Sequence, residues 1–390
     1  MRRQTIISRL SLAFPLALWL GTNVAQADDP KPADSRAQQV QKELAPKLVT
    51  FKTEKIRLSD ALKRLAQQTG IEVEDRRRAE GSGDPELKLD LKAVTFWQAL
   101  DAIAKQADLR VGLYQRGGAI ALVDGPHVQL PVSYDGLFRT VVRRVTTVHD
   151  LESDQRSCVV SLEIAWEPRF RPLFLEGRPK SLVVTDDNKT QLHPDDEPGG
   201  KIPVTGKTAT TLDLHLPAPA RKVAKLGRVE GSLMLVGPSK MLDFEFDTLA
   251  KEKASKDPKQ TKDGVTVKLR RLDLAADHWT VEVGLEYPDD GPKFESFQSW
   301  VVNNECFLKK AEGDGQFPCN GGYSIDSLGP NKAVLSYHFV DGRLRKTENG
   351  KVVNAKLVRG KPEDWKLVYR TPGPMAEVPV TFAFKDIPLP

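Results

Sequence analysis

The stretch "KIRLSDALKRLAQQTGIEVE" runs from Lys55 to Glu74, and a related one, "AVTFWQALDAIAKQADLRVG", runs from Ala93 to Gly112. In the first, Leu58, Ala61, Leu62, Leu65 and Ala66 recur at the spacing of one helix face. Gly70 stands where a left-handed residue would close that helix, and Ile71 and Val73 then alternate as in a strand. In the second, the stripe is Phe96, Ala99, Leu100, Ile103 and Ala104, followed by alternating Leu109, Val111 and Leu113. Thr95 and Gln98 have the spacing of a capping box at its start. Leu58 matches Phe96, Leu62 matches Leu100, Leu65 matches Ile103 and Val73 matches Val111, so the same unit is written twice.

Alternating strands around Leu48–Lys52 and Leu87–Leu91 precede the two helices, and Arg116–Gly118 separates a last pair of strands before Ile120 and Leu122. The order predicts a small βαββαβ domain over 47–125 with one closing strand, its two helices sharing a single small sheet. Neither half could cover its apolar stripe alone, which is a physical reason for the duplication.

These residues carry a resemblance. "LSDALKRLAQQTGIEVE" with "LKLDLKAVTFWQALDAIAKQADLRVGLYQRGGAIALVD" is similar to the short N-terminal (STN-type) domain shared by secretins and TonB-dependent receptors. The matching pieces are the Ala61-Leu62 and Ala99-Leu100 pairs, the Thr69-Gly70-Ile71 turn and the closing Ile120-Ala121-Leu122. The resemblance implies a periplasmic domain that contacts partner proteins and has no catalytic residues. Neither a secretin ring domain nor a receptor plug and barrel is readable after it, so pore functions are not implied. The chain as a whole resembles exported proteins of planctomycete-type bacteria, which implies no activity.

Working towards the N-terminus, Arg2, Arg3 and Arg9 precede the apolar run "LSLAFPLALWLG" (Leu10–Gly21), and "AQA" (Ala25–Ala27) offers small residues for cleavage. Residues 1–27 therefore read as a signal peptide, too short to span a bilayer, and 28–46 as a flexible lead-in. The expected mature chain is exported, periplasmic or extracellular, with no transmembrane segment. The signal segment holds three arginines and no acid, so its removal takes the formal charge from +5 to +2. A chain so near balance, with no basic stripe interleaved with aromatics, argues against nucleic acid as a partner.

Beyond residue 126 the period changes from 3.6 to 2. Cys158, Val160, Leu162, Ile164 and Trp166 share one strand face, Leu212, Leu214 and Leu216 another, and Leu242, Phe244 and Phe246 a third. Alternation resumes at Val265, Val267 and Leu269, at Trp279, Val281, Val283 and Leu285, and at Ala333, Leu335, Tyr337 and Phe339, and ends at Val380, Phe382 and Phe384. Between them, "AKEKASKDPKQTKDG" (Ala250–Gly264) has five lysines and no large apolar residue. It reads as a solvated linker or long loop. The expectation is thus two immunoglobulin-like antiparallel β-sandwiches, over 127–249 and 265–390. "MLDFEFDTLA" echoes "VPVTFAFKDIPLP", as if the two were tandem copies.

Chemistry-bearing patterns are sparse. No two of the six histidines lie three or four residues apart, and no H-E-x-x-H motif occurs. Asp186, Asp187, Asp195 and Asp196 are dense, yet their spacing departs from a calcium loop and reads as a solvated turn. "GDGQFPCNGG" (Gly313–Gly322) has Pro318 where a dinucleotide loop wants glycine. No catalytic, cofactor or metal-binding residue is assigned.

In "WEPRFRP" (Trp166–Pro172), Trp166, Arg169 and Arg171 could present an edge for a carboxylate or sugar, or Trp166 could close a core. Trp97 poses the same choice between a glycan platform and packing, and Trp300 is a further aromatic that a glycan-binding sandwich would use. Cys306 and Cys319 enclose "FLKKAEGDGQFP", a turn-rich loop of the kind a disulfide pins, contributing roughly 3 kcal/mol. Cys158 reads as a buried thiol. The function expected is a non-enzymatic cell-envelope interaction protein, with the N-terminal domain docking a protein partner and the sandwiches serving as spacer or binding arms. The alternatives are recognition of cell-wall glycan, or a hydrolase without a legible motif.

Overall fold

A computed structural model describes residues 42–78, 83–115, 118–194, 199–238, 240–288, 304–348, 351–357, 359–373 and 375–390. The expected signal segment 1–27 and Trp300 lie outside the described residues, as do Asp195 and Asp196 of the acidic turn.

The N-terminal domain follows the duplicated pattern closely: β1 (Val49–Arg57), α1 (Leu58–Thr69), β2 (Val73–Asp75), β3 (Glu86–Val94), α2 (Phe96–Ala107), β4 (Arg110–Gly112) and β5 (Ile120–Val123). Gly70 does end α1 in the left-handed region, at φ 75°, with its N–H donating to Ala66 O. The capping box of Thr95 and Gln98 is formed at the start of α2. Both helices bury the stripe read from the sequence, from Leu58 and Leu65 to Phe96 and Ile103, in one shared core.

The expectation of one sheet is corrected. β1 pairs antiparallel with β3 as a separate two-stranded ribbon. A second sheet has the order β2-β5-β4, parallel between β2 and β5 and antiparallel between β5 and β4. The helices touch each other and strands of both sheets. The periodicity shows which face of a helix is oily but not how many sheets cover it. Here β1 and β3 lead directly into their helices and pair only with each other.

The remaining strands form two β bodies, each made of two sheets facing across an apolar core. The first uses β6 (Val132–Asp135), β7 (Phe138–His149), β8 (Arg156–Trp166), β9 (Phe174–Glu176), β10 (Ser181–Asp186), β11 (Gln191–Leu192), β12 (Lys201–Pro203), β13 (Ala209–Pro217) and β14 (Lys225–Pro238). One sheet has the order β13-β8-β7-β6, and the other β11-β10-β14-β9-β12. Next in the chain come β15 (Met241–Thr248), α3 (Leu249–Ala254), β16 (Lys259–Lys262), β17 (Val265–Leu274), β18 (His278–Glu286), β19 (Glu305–Lys310), β20 (Gln316–Pro318), β21 (Tyr323–Leu328) and β22 (Lys332–Val340). A hairpin of β23 (Gly342–Glu348) and β24 (Lys351–Leu357) precedes β25 (Trp365–Pro372) and β26 (Met375–Pro388). The second body has sheets β15-β25-β19-β20 and β16-β17-β18-β22-β21.

Two expected boundaries are corrected by this pairing. β26, at the C-terminus, does not belong to the second body. It pairs along β14, and Val380, Phe382, Phe384 and Ile387 fill the first core. Conversely β15, expected in the first sandwich, pairs with β25, and Leu242, Phe244 and Phe246 fill the second core. The two echoing segments therefore sit in opposite bodies.

The same register holds on both sides of the junction. Pro238 faces Met375, the Lys240 carbonyl accepts from Gly373 N–H at 2.9 Å, and Met241 faces Pro372. One two-stranded ribbon thus spans both bodies. Gly237 lies where the ribbon passes close to the segment after β8, for a Cβ there would stand 2.6 Å from Pro172 Cα.

The lysine-rich segment is not an unstructured linker either. It holds α3 and β16, which pairs with β17, while its five lysines stay at the surface. Charge places these side chains in water and leaves the backbone free to pair.

Candidate functional site

The stretch "WEPRFRP" follows the end of β8. Trp166 is fully buried in the first core, and its Nε1 donates to Lys207 O at 3.1 Å. It has no face to offer a sugar. Phe170 is also buried, edge-on to Phe138 with centroids 6.0 Å apart.

Arg169 is fully committed within the chain. Its Nε donates to Glu167 Oε2 at 2.6 Å, Nη1 to Glu43 O at 3.0 Å, and Nη2 to Leu44 O at 3.2 Å and Ala45 O at 2.8 Å. The lead-in expected to be flexible is therefore strapped down over its last residues, with Leu44 in the first core. Lys240 tightens the strap by pairing with Glu43 at 2.9 Å and Asp263 at 3.0 Å. Burial raises the Glu167 carboxyl above its usual range despite Arg169. Of the three predicted binding residues only Arg171 faces solvent, 3.9 Å from Glu305 Oε1. It borders a cleft of about 540 Å³ where the bodies meet, lined also by Leu173, Lys207, Met241 and Pro372.

Trp97 likewise packs inward and joins two domains, its Nε1 donating to Leu137 O at 2.9 Å. Ala165 and Ala209, from β8 and β13, complete the core of the N-terminal domain. Around this seam Asp101 on α2 accepts from Tyr134 OH at 2.6 Å and Arg139 Nε at 2.7 Å, and Arg143 pairs with buried Glu163 at 2.5 Å. Partial desolvation beside Glu163 pushes the Tyr114 phenol up to about 12, although the residue is 62% exposed. Sequence reading missed this cluster. Its one available signal was Ser161, Glu163 and Ala165 on the second face of β8, a face that turns out to be covered.

Asp186 in the acidic turn is also structural. Its carboxylate accepts from the N–H groups of Asn188 at 2.9 Å and Thr190 at 2.8 Å. Among the described residues no three His, Cys, Asp or Glu side chains gather as a metal site, and no helix is long and apolar enough to cross a membrane.

The most distinctive surface is β21, the last strand of its sheet. All six of its residues are exposed, among them Tyr323 (47%), Ile325 (47%) and Leu328 (44%). Its one carboxylate, Asp326, is drawn towards the sheet by Ser336 Oγ at 2.6 Å. His338 N–H donates to Gly322 O at 3.0 Å, so along the Tyr323↔Tyr337 register the bonds to β22 fall at even-numbered positions as far as Ile325, after which a bulge shifts the register before Ser327. The backbone N–H and C=O of Tyr323 and Ile325 therefore point away from β22.

Two other strand edges are guarded by charge. The β1–β3 ribbon carries the pairs Lys52–Asp90, Lys55–Glu86 and Lys88–Glu54, and β16, at the other end of the β21 sheet, carries Lys259 and Lys262.

The chain matches no family model and no curated protein. Among solved structures, a conserved domain protein from Bacillus anthracis is similar at 10% identity over 65% of this chain and 89% of its own, with a TM-score of 0.17. A likeness that slight bears on neither fold nor function.

Proposed function

We propose that the protein is an exported, non-catalytic interaction protein of the cell envelope that takes an extended segment of a partner protein as an added strand along β21. The observation that carries this reading is the exposed Tyr323–Leu328 edge, with outward backbone groups at Tyr323 and Ile325 and three large apolar side chains. Added strands gain affinity from the main chain and specificity from alternate side chains. An exposed apolar edge without a guarding lysine or proline invites such pairing.

The two β bodies, read as immunoglobulin-like sandwiches, hold this edge rigidly through their shared ribbon. The N-terminal domain, read as STN-like, supplies a second docking face. A groove of about 550 Å³ beside α1 is lined by Lys55, Arg57, Lys63 and Arg64 against Asp60 and Glu86, a net positive lining suited to an acidic segment. The glycan reading loses its best support with Trp166 buried.

The test uses the full mature chain and a panel of ten-residue peptides in which apolar and polar residues alternate, with scrambled peptides of the same composition as controls. Ile325→Pro removes one outward N–H and no bond to β22, so the fold should persist. Alternating peptides should bind the wild type and protect the amides of Tyr323 and Ile325 from exchange, and Ile325→Pro should abolish both effects. Equal binding of scrambled peptides, or binding that survives the substitution, would refute strand addition.

A further inference from the structure

Cys306, Cys319 and Cys158 are free thiols in this structure, and Cys158 is sealed in the first core. Cys306 and Cys319 are placed differently. The β19–β20 register pairs Lys309 with Gln316, Leu308 with Phe317 and Phe307 with Pro318. One further step along the same ladder, past its last paired residues, would set Cys306 opposite Cys319. Facing Cα atoms in an antiparallel pair stand about 4.5–5.5 Å apart, inside the range a disulfide spans. Burial keeps both thiols above their ordinary pKa, and both side chains pack into the second core.

The position of Cys319 gives the pair a consequence beyond hairpin closure. Cys319 follows β20, in one sheet of the second body, and lies just before the Asn320–Gly322 turn that crosses to β21 in the other. Its Sγ donates to Gly322 O at 3.1 Å and His338 O at 3.4 Å, so the thiol proton binds that crossing to β22.

We propose that Cys306 and Cys319 are a reversible disulfide site, oxidised by a low-molecular-weight disulfide, whose closure replaces the Cys319 hydrogen bonds to the β20–β21 turn. This inference stands whether or not β21 accepts a partner strand.

The chemistry balances as two exchange steps. The Cys319 thiolate, the more exposed of the two, attacks one sulfur of the oxidant, forming a mixed disulfide and releasing one small thiol. The Cys306 thiolate then attacks the Cys319 sulfur and releases the second. Two protein thiols are oxidised, one small disulfide is reduced to two thiols, and the two protein protons end on the released thiolates. High thiol pKa values make both steps slow near neutral pH, because the thiolate is the attacking species.

The test equilibrates the full chain in glutathione buffers running from reduced to oxidised, quenches with a maleimide and maps tryptic peptides without reduction. In oxidised buffer two of the three thiols should become unreactive, and the peptides bearing Cys306 and Cys319 should appear joined, lighter by two hydrogens. Reduced glutathione should restore both. A Cys319→Ser chain should leave Cys306 open to the maleimide after unfolding in every buffer. Three alkylated thiols in fully oxidised buffer, or a bridge that involves Cys158 or a second chain, would overturn the proposal.

Discussion

Phe384 lies six residues from the C-terminus but is 3% exposed within the core of the first β body, next to Phe382 at 5.8 Å and opposite Val229 on β14. Phe244, in mid-chain, is fully buried in the core of the second. Truncating Phe384 to alanine should therefore loosen the first body, distant from it in sequence, and truncating Phe244 the second. A phenylalanine side chain removes about 150–250 Å² from water, which at about 25 cal/mol per Å² is worth about 4–6 kcal/mol. The methyl of alanine retains about 0.8 kcal/mol of that, leaving a loss of about 3–5 kcal/mol for either change. Such a loss speeds amide exchange through local unfolding by two to three orders of magnitude, since about 1.4 kcal/mol is a factor of ten. The assay is exchange read by mass spectrometry, following β8 (Arg156–Trp166) for the first body and β18 (His278–Glu286) for the second. Phe384→Ala should release β8 before β18, and Phe244→Ala the reverse. If Phe384→Ala released β18 and spared β8, the crossing of the ribbon between bodies would be wrong, and the chain would fold as two sequential units.

Trp97→Phe removes the indole donor from the Leu137 carbonyl, which keeps the Glu167 N–H at 3.1 Å, so the loss should be about 0.5–1.5 kcal/mol, read as a lower urea midpoint. An unchanged midpoint would mean that the seam between the N-terminal domain and the first body contributes little. Glu167 makes a pH-dependent prediction. Burial lifts its folded pKa above the unfolded one, outweighing Arg169, so the ionised form costs stability above the folded pKa and the cost disappears below the unfolded one. Glu167→Gln should accordingly gain on the wild type as pH rises between about 3 and 8, and a difference that stays flat over that range would refute the assignment.

Legibility varied with the kind of information each element needed. The helices of the N-terminal domain were readable to within a residue, down to Gly70 and the Thr95 capping box, because a helix closes its own hydrogen bonds and its stripe is local. The strands were readable as strands, since alternation reports which side chains are buried. Their partners were not. Leu242, Phe244 and Phe246 alternate identically whether they face the first core or the second, and nothing within eight residues states which. Arg169 and Trp166 show the same limit at the level of a site. An arginine fork and an indole look like binding groups in sequence, and only the return of Glu43, Leu44 and Ala45 to the far end of β8 turns them into structure.

The sequence by itself determined the duplicated helical unit, the change to β structure after it and the apolar face of the strands that alternate cleanly, such as β8, β15, β18 and β22, all consequences of periods of 3.6 and 2 along a chain. Tertiary structure alone decided that one continuous ribbon joins the two β bodies, that the N-terminal domain is pressed against β8 and β13, and that Tyr323–Leu328 is left at an open edge. The ribbon depends on pairings between residues more than a hundred positions apart, and the seam on contacts such as Trp97 with Leu137, in a different domain; backbone hydrogen bonds are the same for every residue type, so local pattern carries no address for either.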